Sequence, residues 1–298
     1  MNYYRGDNLK PNENPKTIAL CLVATSSYTS LLRDLIESAK KHFLANHRVS
    51  LFIFSDRDCY DSRGSRWLDT FDYEVFWTKI EHNSWPLPTL LRYSYLLKQK
   101  HKLSEFDYIF YCDADSRFFQ NIGDEVLGSG LTVVQHFMAA GKQTKSTESH
   151  LATLYSSNSD CRNSNINWDI ENKFKNLVFE ANQNSTAYLP RKTDRYFIGS
   201  FHGGSSEAYI DAITSMSYNI NKDLSNNIIA EYHDESHLNK YLCKNPPARV
   251  MPFWYYVPAG GVPPECVPIP SNEQMKIGFV RTVEMNIRPA TKMERNEL

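Results

Sequence analysis

The feature that most constrains this chain is a short apolar run ending in two aspartates, YIFYCDAD at residues 108–115. β-Branched and aromatic residues in so short a run predict a buried strand. In an open α/β sheet, ligands bind just beyond the carboxyl ends of the strands, which is where Asp113 and Asp115 fall. Strand residues two apart point the same way, so both carboxylates can face one hard cation such as Mn²⁺ or Mg²⁺. The pair alone is equally compatible with two solvated acids in a turn, because Asp favours turns.

The residues before this strand predict an α/β fold with a parallel sheet. Apolar runs at 17–24 and 48–55 predict buried strands, and apolar residues at helical spacing predict a helix over 31–43. A third strand at 71–80 and a helix at about 90–103 lead into the aspartate strand. Strands alternating with helices in this way are typical of a nucleotide-binding α/β unit.

The second half of the chain is less regular. Its apolar runs predict further strands and helices, and its Ser-, Asn- and Pro-rich stretches predict loops. The predicted strands are 131–135, 196–201 (followed by two glycines) and 276–282, the helices 169–179, 207–216 and 233–242, and the loops 142–167 and 246–270.

Composition excludes several classes of protein. The 298 residues carry a net charge of −1 and no basic stripe, so nothing predicts a nucleic-acid partner. The six cysteines form no Cys-x-x-Cys pair, which argues against a zinc ribbon or a redox pair. No apolar stretch approaches the ~20 residues that a membrane helix needs.

The stretch His233-Asp234-Glu235-Ser236-His237 concentrates ionisable groups as acid, base and nucleophile sites do. Two histidines four apart also resemble zinc-protease ligands, but that motif places Glu directly after the first His, where Asp234 stands. Alternatively, Asp234 or Ser236 caps a helix and has no chemical role.

Four motifs in one order resemble glycosyltransferase family 6: the DAD strand, FEANQNSTAYLP, YFIGSFHGG ahead of a helix, and HDESHLNKYL, which is the most specific. That family includes the ABO histo-blood-group transferases and α-1,3-galactosyltransferase. The resemblance implies an α/β GT-A glycosyltransferase fold in a single domain over 1–298. It implies a Rossmann-like UDP-binding half at about 17–120, a more variable catalytic and acceptor half at about 121–288, and a polar tail at 289–298.

The resemblance also implies a reaction, the retaining transfer of galactose or N-acetylgalactosamine from its UDP-sugar. The acceptor would be an oligosaccharide galactoside, possibly fucosylated, joined in α-1,3 linkage. The mechanism is either a double displacement through Glu235 or a same-face transfer in which Glu235 stabilises positive charge on the sugar. The residues do not separate these two.

Site residues carry over from the family position by position. Asp113 and Asp115 would hold Mn²⁺ (or Mg²⁺) against the diphosphate, and Glu235 would be the catalytic residue beside the anomeric carbon. The implied donor-binding residues are Val23, Ala24, Thr25, Tyr28, Arg92, Asp113, Ala114, Asp115, Ile198, Gly199, Ser200, Asp234, Glu235, Arg281 and Arg288. The implied acceptor-binding residues are His136, Tyr232 and Glu235.

Three departures from the family pattern carry expectations of their own. Ser200 stands where Gly leaves room for an acetamido group and Ala accompanies galactose, and its bulk favours galactose. Many bacterial members carry Asn-x-Asn and work without metal, so Asp-Ala-Asp predicts metal dependence. Animal members carry an N-terminal membrane anchor, whereas this chain begins almost at its first strand, which predicts a bacterial or viral member in the cytoplasm.

Two other classes compete with this interpretation. A phosphohydrolase of the haloacid-dehalogenase type also ends an apolar strand in Asp-x-Asp, but it expects Thr or Val two residues after the second Asp, where Arg117 stands, and that strand near the N-terminus. A non-catalytic module that binds nucleotide sugars or glycans could keep the fold without turnover. Retention of Asp113, Asp115 and Glu235 together argues against such a module.

Overall fold

The computed structural model describes residues 13–58, 67–136, 179–190, 195–258 and 276–279. Its first half alternates strands and helices, as the sequence predicts. The elements are β1 (Thr17–Val23), a 3₁₀ helix (Ser26–Leu31), α1 (Leu32–His42), β2 (Arg48–Ser55), a 3₁₀ helix (Trp67–Thr70), β3 (Glu74–Lys79), α2 (Leu87–Leu90), α3 (Arg92–Leu97), α4 (Lys100–Leu103) and β4 (Tyr108–Asp113).

The helix predicted over 90–103 is in fact a series of short helices. Leu91 (φ −86°, ψ 1°) and Gln99 (φ −109°, ψ 19°) leave the α-helical region and interrupt the hydrogen-bond ladder. Apolar spacing alone did not reveal these interruptions, because the buried side keeps its period through them.

The second half supplies the rest of the sheet and two long helices. The elements are β5 (Ser116–Phe118), a 3₁₀ helix (Asp124–Val126), β6 (Leu131–Gln135), β7 (Phe197–Ser205), α5 (Ser206–Ser225), α6 (His233–Lys244), β8 (Arg249–Met251), a 3₁₀ helix (Phe253–Tyr255), β9 (Tyr256–Pro258) and β10 (Ile277–Phe279). The predicted loop at 142–167 lies outside the described residues, as does the predicted helix at 169–179 apart from its last residue.

Two predictions for this half are wrong in detail. The composition of 246–270 predicts a loop, yet the described part of this region contains β8 and β9, because short edge strands tolerate the Pro-rich composition there. The strand predicted at 196–201 continues to Ser205 through Gly203. A Cβ atom at Gly203 would lie 2.3 Å from the Phe110 ring, so the glycine is what lets β7 pair closely with β4.

The large sheet has seven strands in the order β3-β2-β1-β4-β7-β6-β8. Strands β3, β2, β1 and β4 are parallel, and β7 runs antiparallel to β4. The chain moves outward from β1 to β2 and β3 and then returns to β4 on the other side of β1. The carboxyl ends of β1 and β4 therefore form a topological switch point, where open α/β sheets bind ligands.

Apolar side chains cover both faces of this sheet, as expected for strands buried on both sides. In β1, Ile18 and Leu20 pack on the face covered by α1, whereas Ala19 and Cys21 pack on the opposite face with residues of α5 and α6. The sheet is thus a rigid support, and its polar strand ends are left to form a site.

Among the helices of the described ranges, none combines the length and the apolar character that crossing a bilayer requires.

Candidate active site

A cleft of about 410 Å³ opens at the switch point. One wall is formed by Val23 and residues 25–28 after β1, and the other by His82 to Trp85 with part of α2. Arg92, Tyr111 and residues 113–115 also line it. The cleft is therefore built from the carboxyl ends of neighbouring strands, where the sequence predicts it.

The register of β1 on β4 sets Val23 beside Asp113, so the predicted uridine-binding and metal-binding segments adjoin in space. Thr25 and Tyr28 line the cleft as predicted. Tyr28 also lies near the aspartate pair, since burial, then Asp115 and Asp113, raise the pKa of its hydroxyl. Ala24 differs, because it is fully buried and its backbone N–H donates to Phe54 O at 2.9 Å.

Arg92 joins the two halves of the site. Its Nη1 lies 3.0 Å from Asp113 Oδ1 and donates to Gly199 O at 3.0 Å, and its Nε lies 3.2 Å from Asp234 Oδ2. The guanidinium also lies over the Tyr111 ring, 4.5 Å from the centroid. Only 7% of this side chain is exposed, so its positive charge interacts mainly with these partners and little with solvent.

The aspartate pair suits a divalent cation. Tyr111 donates to Asp113 Oδ1 at 2.7 Å, which fixes that carboxylate. Burial, and then the neighbouring Asp113, raise the pKa of Asp115 to about 8. Two carboxylates that repel each other in this way gain from a dication between them.

The pair would supply only two ligands. In the described ranges no cluster of three or more His, Cys, Asp or Glu side chains is placed to hold an ion. The remaining positions would fall to phosphate oxygens and water, which is how Mg²⁺ is usually held at phosphate-binding sites.

The first turn of α6 carries Asp234 and Glu235 against β7. Glu235 Oε2 accepts the backbone N–H of Gly199 at 2.7 Å. Asn239 fixes the helix one turn later, because its side chain accepts the N–H of Phe197 and donates to Phe197 O. A Cβ atom at Gly199 would lie 3.1 Å from Glu235 Cβ, so glycine allows this close approach.

The two acids of α6 have perturbed pKa values. Burial raises the pKa of Glu235 to about 7, although the N–H of Gly199 opposes the rise. Burial also raises the pKa of Asp234 to about 7, with Arg92 opposing it. Strongly perturbed carboxyl groups beside a cleft are typical of functional sites.

The remaining predicted site residues differ in their burial and in their position in the fold. His136 follows β6, is buried, and has its pKa lowered to about 4 by burial. Ile198 packs in the core, Ser200 is half-buried beside Gly199, and Tyr232 precedes α6. Arg281 and Arg288 lie outside the described residues.

The alternatives for the His233–His237 stretch can now be compared with the structure. Neither Ser236 nor Asp234 is the N-cap of α6, since Tyr232 holds that position and its side chain makes no capping hydrogen bond. Ser236 Oγ accepts the N–H of Tyr232 at 3.0 Å, and the Asp234 carboxylate pairs with Arg92. His237 is buried 3.7 Å from Asp223, whereas the His233 ring contacts Trp85 edge-on, with 4.8 Å between ring centroids.

Sequence reasoning missed Tyr111, Asp56 and His82. Tyr111 lies two residues before Asp113, so the strand period already placed both on one side. Asp56 and His82 follow the ends of β2 and β3, and Asp56 Oδ2 lies 2.5 Å from His82 Nδ1. The residues that follow two adjacent parallel strands lie close together at one edge of the sheet, so the sequence order of the strands already indicates this proximity.

Fold and site together define a protein of the GT-A glycosyltransferase class, with acidic residues at the switch point of a mixed sheet. A model of glycosyltransferase family 6 matches residues 8–153 and 167–260. The chain belongs to this family, as its motifs predict, and the phosphohydrolase alternative is therefore wrong.

Curated relatives agree with this assignment. The chain is 27% identical over 239 residues to histo-blood group ABO system transferase 2 of Rattus norvegicus, covering 79% of this chain and 61% of the relative. It is 27% identical over 233 residues to the O-antigen biosynthesis glycosyltransferase WbnI of Escherichia coli, covering 77% and 83%. Against globoside alpha-1,3-N-acetylgalactosaminyltransferase 1 of Gallus gallus it is 23% identical over 247 residues, covering 79% and 60%. The chain thus spans about 60% of the length of the rat and chicken relatives.

Proposed function

We propose that this protein is a retaining glycosyltransferase that moves galactose or N-acetylgalactosamine from a UDP-sugar to a galactoside, possibly fucosylated, in α-1,3 linkage. The observation that carries the proposal is the convergence of Asp113, Asp234 and Gly199 on the buried Arg92, with Glu235 hydrogen-bonded to Gly199. The relatives support the chemistry, since they include ABO transferases and an alpha-1,3-N-acetylgalactosaminyltransferase.

The donor would lie in the cleft with its uridine along Val23, Thr25 and Tyr28. Asp113 and Asp115 would hold Mn²⁺ or Mg²⁺, which supplies Lewis-acid stabilisation of the leaving diphosphate when bound. Tyr111 and Arg92 keep Asp113 oriented for that role through the contacts already described. Asp234, held by Arg92, would accept hydrogen bonds from hydroxyl groups of the donor sugar.

Glu235 would act at the anomeric carbon. The N–H of Gly199 binds Oε2 of the carboxylate and so fixes the side chain. As a nucleophile it would form a covalent glycosyl-enzyme, and as an ion-pair partner it would stabilise positive charge on the sugar. Both roles require the ionised form.

The acceptor would contact His136 and Tyr232. With its pKa lowered to about 4, His136 is neutral near pH 7, so one ring nitrogen can accept a hydrogen bond. Ser200, half-buried beside Gly199, is the residue that would select between the two donor sugars. Its side chain is larger than that of Gly or Ala, so we infer a preference for galactose.

The experiment measures UDP release from UDP-galactose and UDP-N-acetylgalactosamine, with Mn²⁺ or EDTA, and with or without 2′-fucosyllactose. We expect Mn²⁺-dependent release from UDP-galactose that the acceptor stimulates. Release that EDTA does not affect would contradict the metal role of Asp113 and Asp115. No release from either donor, combined with UDP binding by calorimetry, would favour a non-catalytic binding module.

A further inference from the structure

Asp56 and His82 form a pair at the end of the cleft that the family resemblance does not assign. Resting on the proposed function, we propose that His82, oriented by the buried Asp56, is a recognition residue that accepts a hydrogen bond from the nucleoside of the donor. The pair would therefore set nucleoside specificity and act before any sugar chemistry.

Asp56 connects the two walls of the cleft. It follows β2, and only 4% of its side chain is exposed. Its Oδ1 and Oδ2 accept the N–H of Ser26 at 2.9 and 3.2 Å, and its Oδ2 lies 2.5 Å from His82 Nδ1. Ser26 and His82 both line the cleft and belong to segments that follow different strands, so this one buried carboxylate fixes both segments.

The segment of the cleft that contains Ser26 is held in a strained conformation. Ser26 has a φ of 52°, in the left-handed region that non-glycine residues seldom adopt. Strain of this kind persists where surrounding contacts over-determine it, and it is concentrated at ligand-binding sites. The hydrogen bond to Asp56 is such a contact, and it places Ser26 and Ser27 at the rim of the cleft.

The direction of the His82 hydrogen bond follows from its partner. A carboxylate only accepts hydrogen bonds, so the His82 nitrogen that meets Asp56, Nδ1, carries the proton. In the neutral ring Nε2 is then an acceptor. Suitable hydrogen-bond donors on a uridine are the N3–H of the base, which cytosine lacks, and the 2′-hydroxyl of the ribose.

The strand order places this acceptor at the nucleoside end of the cleft. Asp113 and Asp115 follow β4, on one side of β1, whereas Asp56 and His82 follow β2 and β3 on the other side. A donor whose diphosphate lies against the aspartates would extend across β1 and bring its nucleoside towards His82.

The competing explanation is a surface ion pair, because 63% of the His82 side chain is exposed. An asparagine substitution separates the two explanations. Asn places its amide nitrogen near the Nδ1 position of histidine, so H82N can keep a hydrogen bond to Asp56 while removing Nε2. H82A removes both contacts, and H101A, at an exposed histidine of α4, is the matched control.

The test is calorimetric binding of UDP, 2′-deoxy-UDP and CDP to the full chain with Mn²⁺. We expect H82N and H82A to bind UDP about 5- to 10-fold more weakly than wild type, and H101A to be unchanged. The analogue that lacks the recognised hydrogen-bond donor, either 2′-deoxy-UDP or CDP, should bind the wild-type protein more weakly than UDP does. The H82N substitution should not weaken the binding of that analogue further.

Three results would overturn the proposal. If H82N bound UDP like wild type, His82 would serve only to pair with Asp56. If H82N weakened the binding of all three nucleotides equally, His82 would recognise neither the N3–H nor the 2′-hydroxyl. If wild type failed to bind UDP at all, the proposed function would fall and this inference with it, whereas the first two results leave the proposed function intact.

Discussion

The two ends of the candidate site are built in different ways. Val23 and Asp113 are neighbours in a parallel register, so regular strand pairing alone brings the proposed uridine-binding and metal-binding segments together. Glu235 and Asp234 instead sit at the start of a helix and reach the site through contacts distant in sequence. Arg92 bonds Gly199 across 107 positions, and Gly199 bonds Glu235 across 36.

In the proposed function, this difference separates nucleotide binding at the strand ends from chemistry at α6. The strand-end region is assembled by the sheet with one contact from Arg92 to Asp113, whereas the α6 region needs Arg92, Gly199 and Asn239 to hold its acids against β7. Substitutions in α6 should therefore abolish turnover and leave nucleotide binding intact, while loss of Arg92 should damage both.

The largest effect is expected for E235Q. The substitution keeps the shape of the side chain and an oxygen for the N–H of Gly199 but removes the negative charge that either mechanism requires. We expect transfer to fall by about 10³-fold or more, with UDP affinity and melting temperature nearly unchanged. The control is D211N, at an exposed acid of α5. If turnover of E235Q were close to that of the wild-type protein, Glu235 would have only a structural role. The distinction between a binding region at the strand ends and a chemical region at α6 would then be lost.

Substitution of Arg92 should break the connection between the two regions. R92M leaves Asp113 and the buried Asp234 without their common partner, and breaking a buried pair costs about 3–5 kcal/mol of the free energy of unfolding. Denaturant titration measures this loss, with R249M at an exposed arginine as control. We also expect weaker UDP binding in the presence of Mn²⁺, in contrast to E235Q. Unchanged stability and unchanged UDP affinity would show that the two regions are independent.

The same difference explains what the sequence could predict. The period of strands and helices located β1, α1, β2 and β4, and the order of the strands then located the cleft. Arg92 was assigned only through the family resemblance, because nothing local shows that a helix residue meets a carbonyl 107 positions later. The pKa of about 7 at Glu235 arises from burial, which depends on tertiary packing and leaves no trace in the motif.

The pH dependence of catalysis should come from the α6 region. An acid whose pKa is raised to about 7 is protonated below that pH, so the carboxylate that the reaction needs appears as pH rises. We expect kcat/KM, measured at saturating Mn²⁺ so that the cation keeps Asp115 ionised, to increase about 10-fold between pH 6 and 8, with UDP affinity changing less. For stability the sign is opposite, since the folded form with an uncharged Glu235 is favoured at low pH and this contribution is lost as pH rises through 7. A kcat/KM profile that is flat over this range would mean that ionisation of Glu235 does not control the reaction.

Among these three substitutions, the smallest effect is expected for G199A, which tests how closely α6 must approach β7. The new methyl group would lie 3.1 Å from Glu235 Cβ and 3.3 Å from Asp234 Oδ2, so the first turn of α6 must shift by a few tenths of an ångström. Overpacking of this kind costs about 1–3 kcal/mol, and displacement of Glu235 should lower turnover about 10-fold at unchanged UDP affinity. G123A is the matched control, because the nearest atom to its new methyl group is the end of the flexible Glu125 side chain. If G199A lowered UDP affinity as much as turnover, the packing of β7 against α6 would also shape the nucleotide end, and the two regions would have to be treated as one.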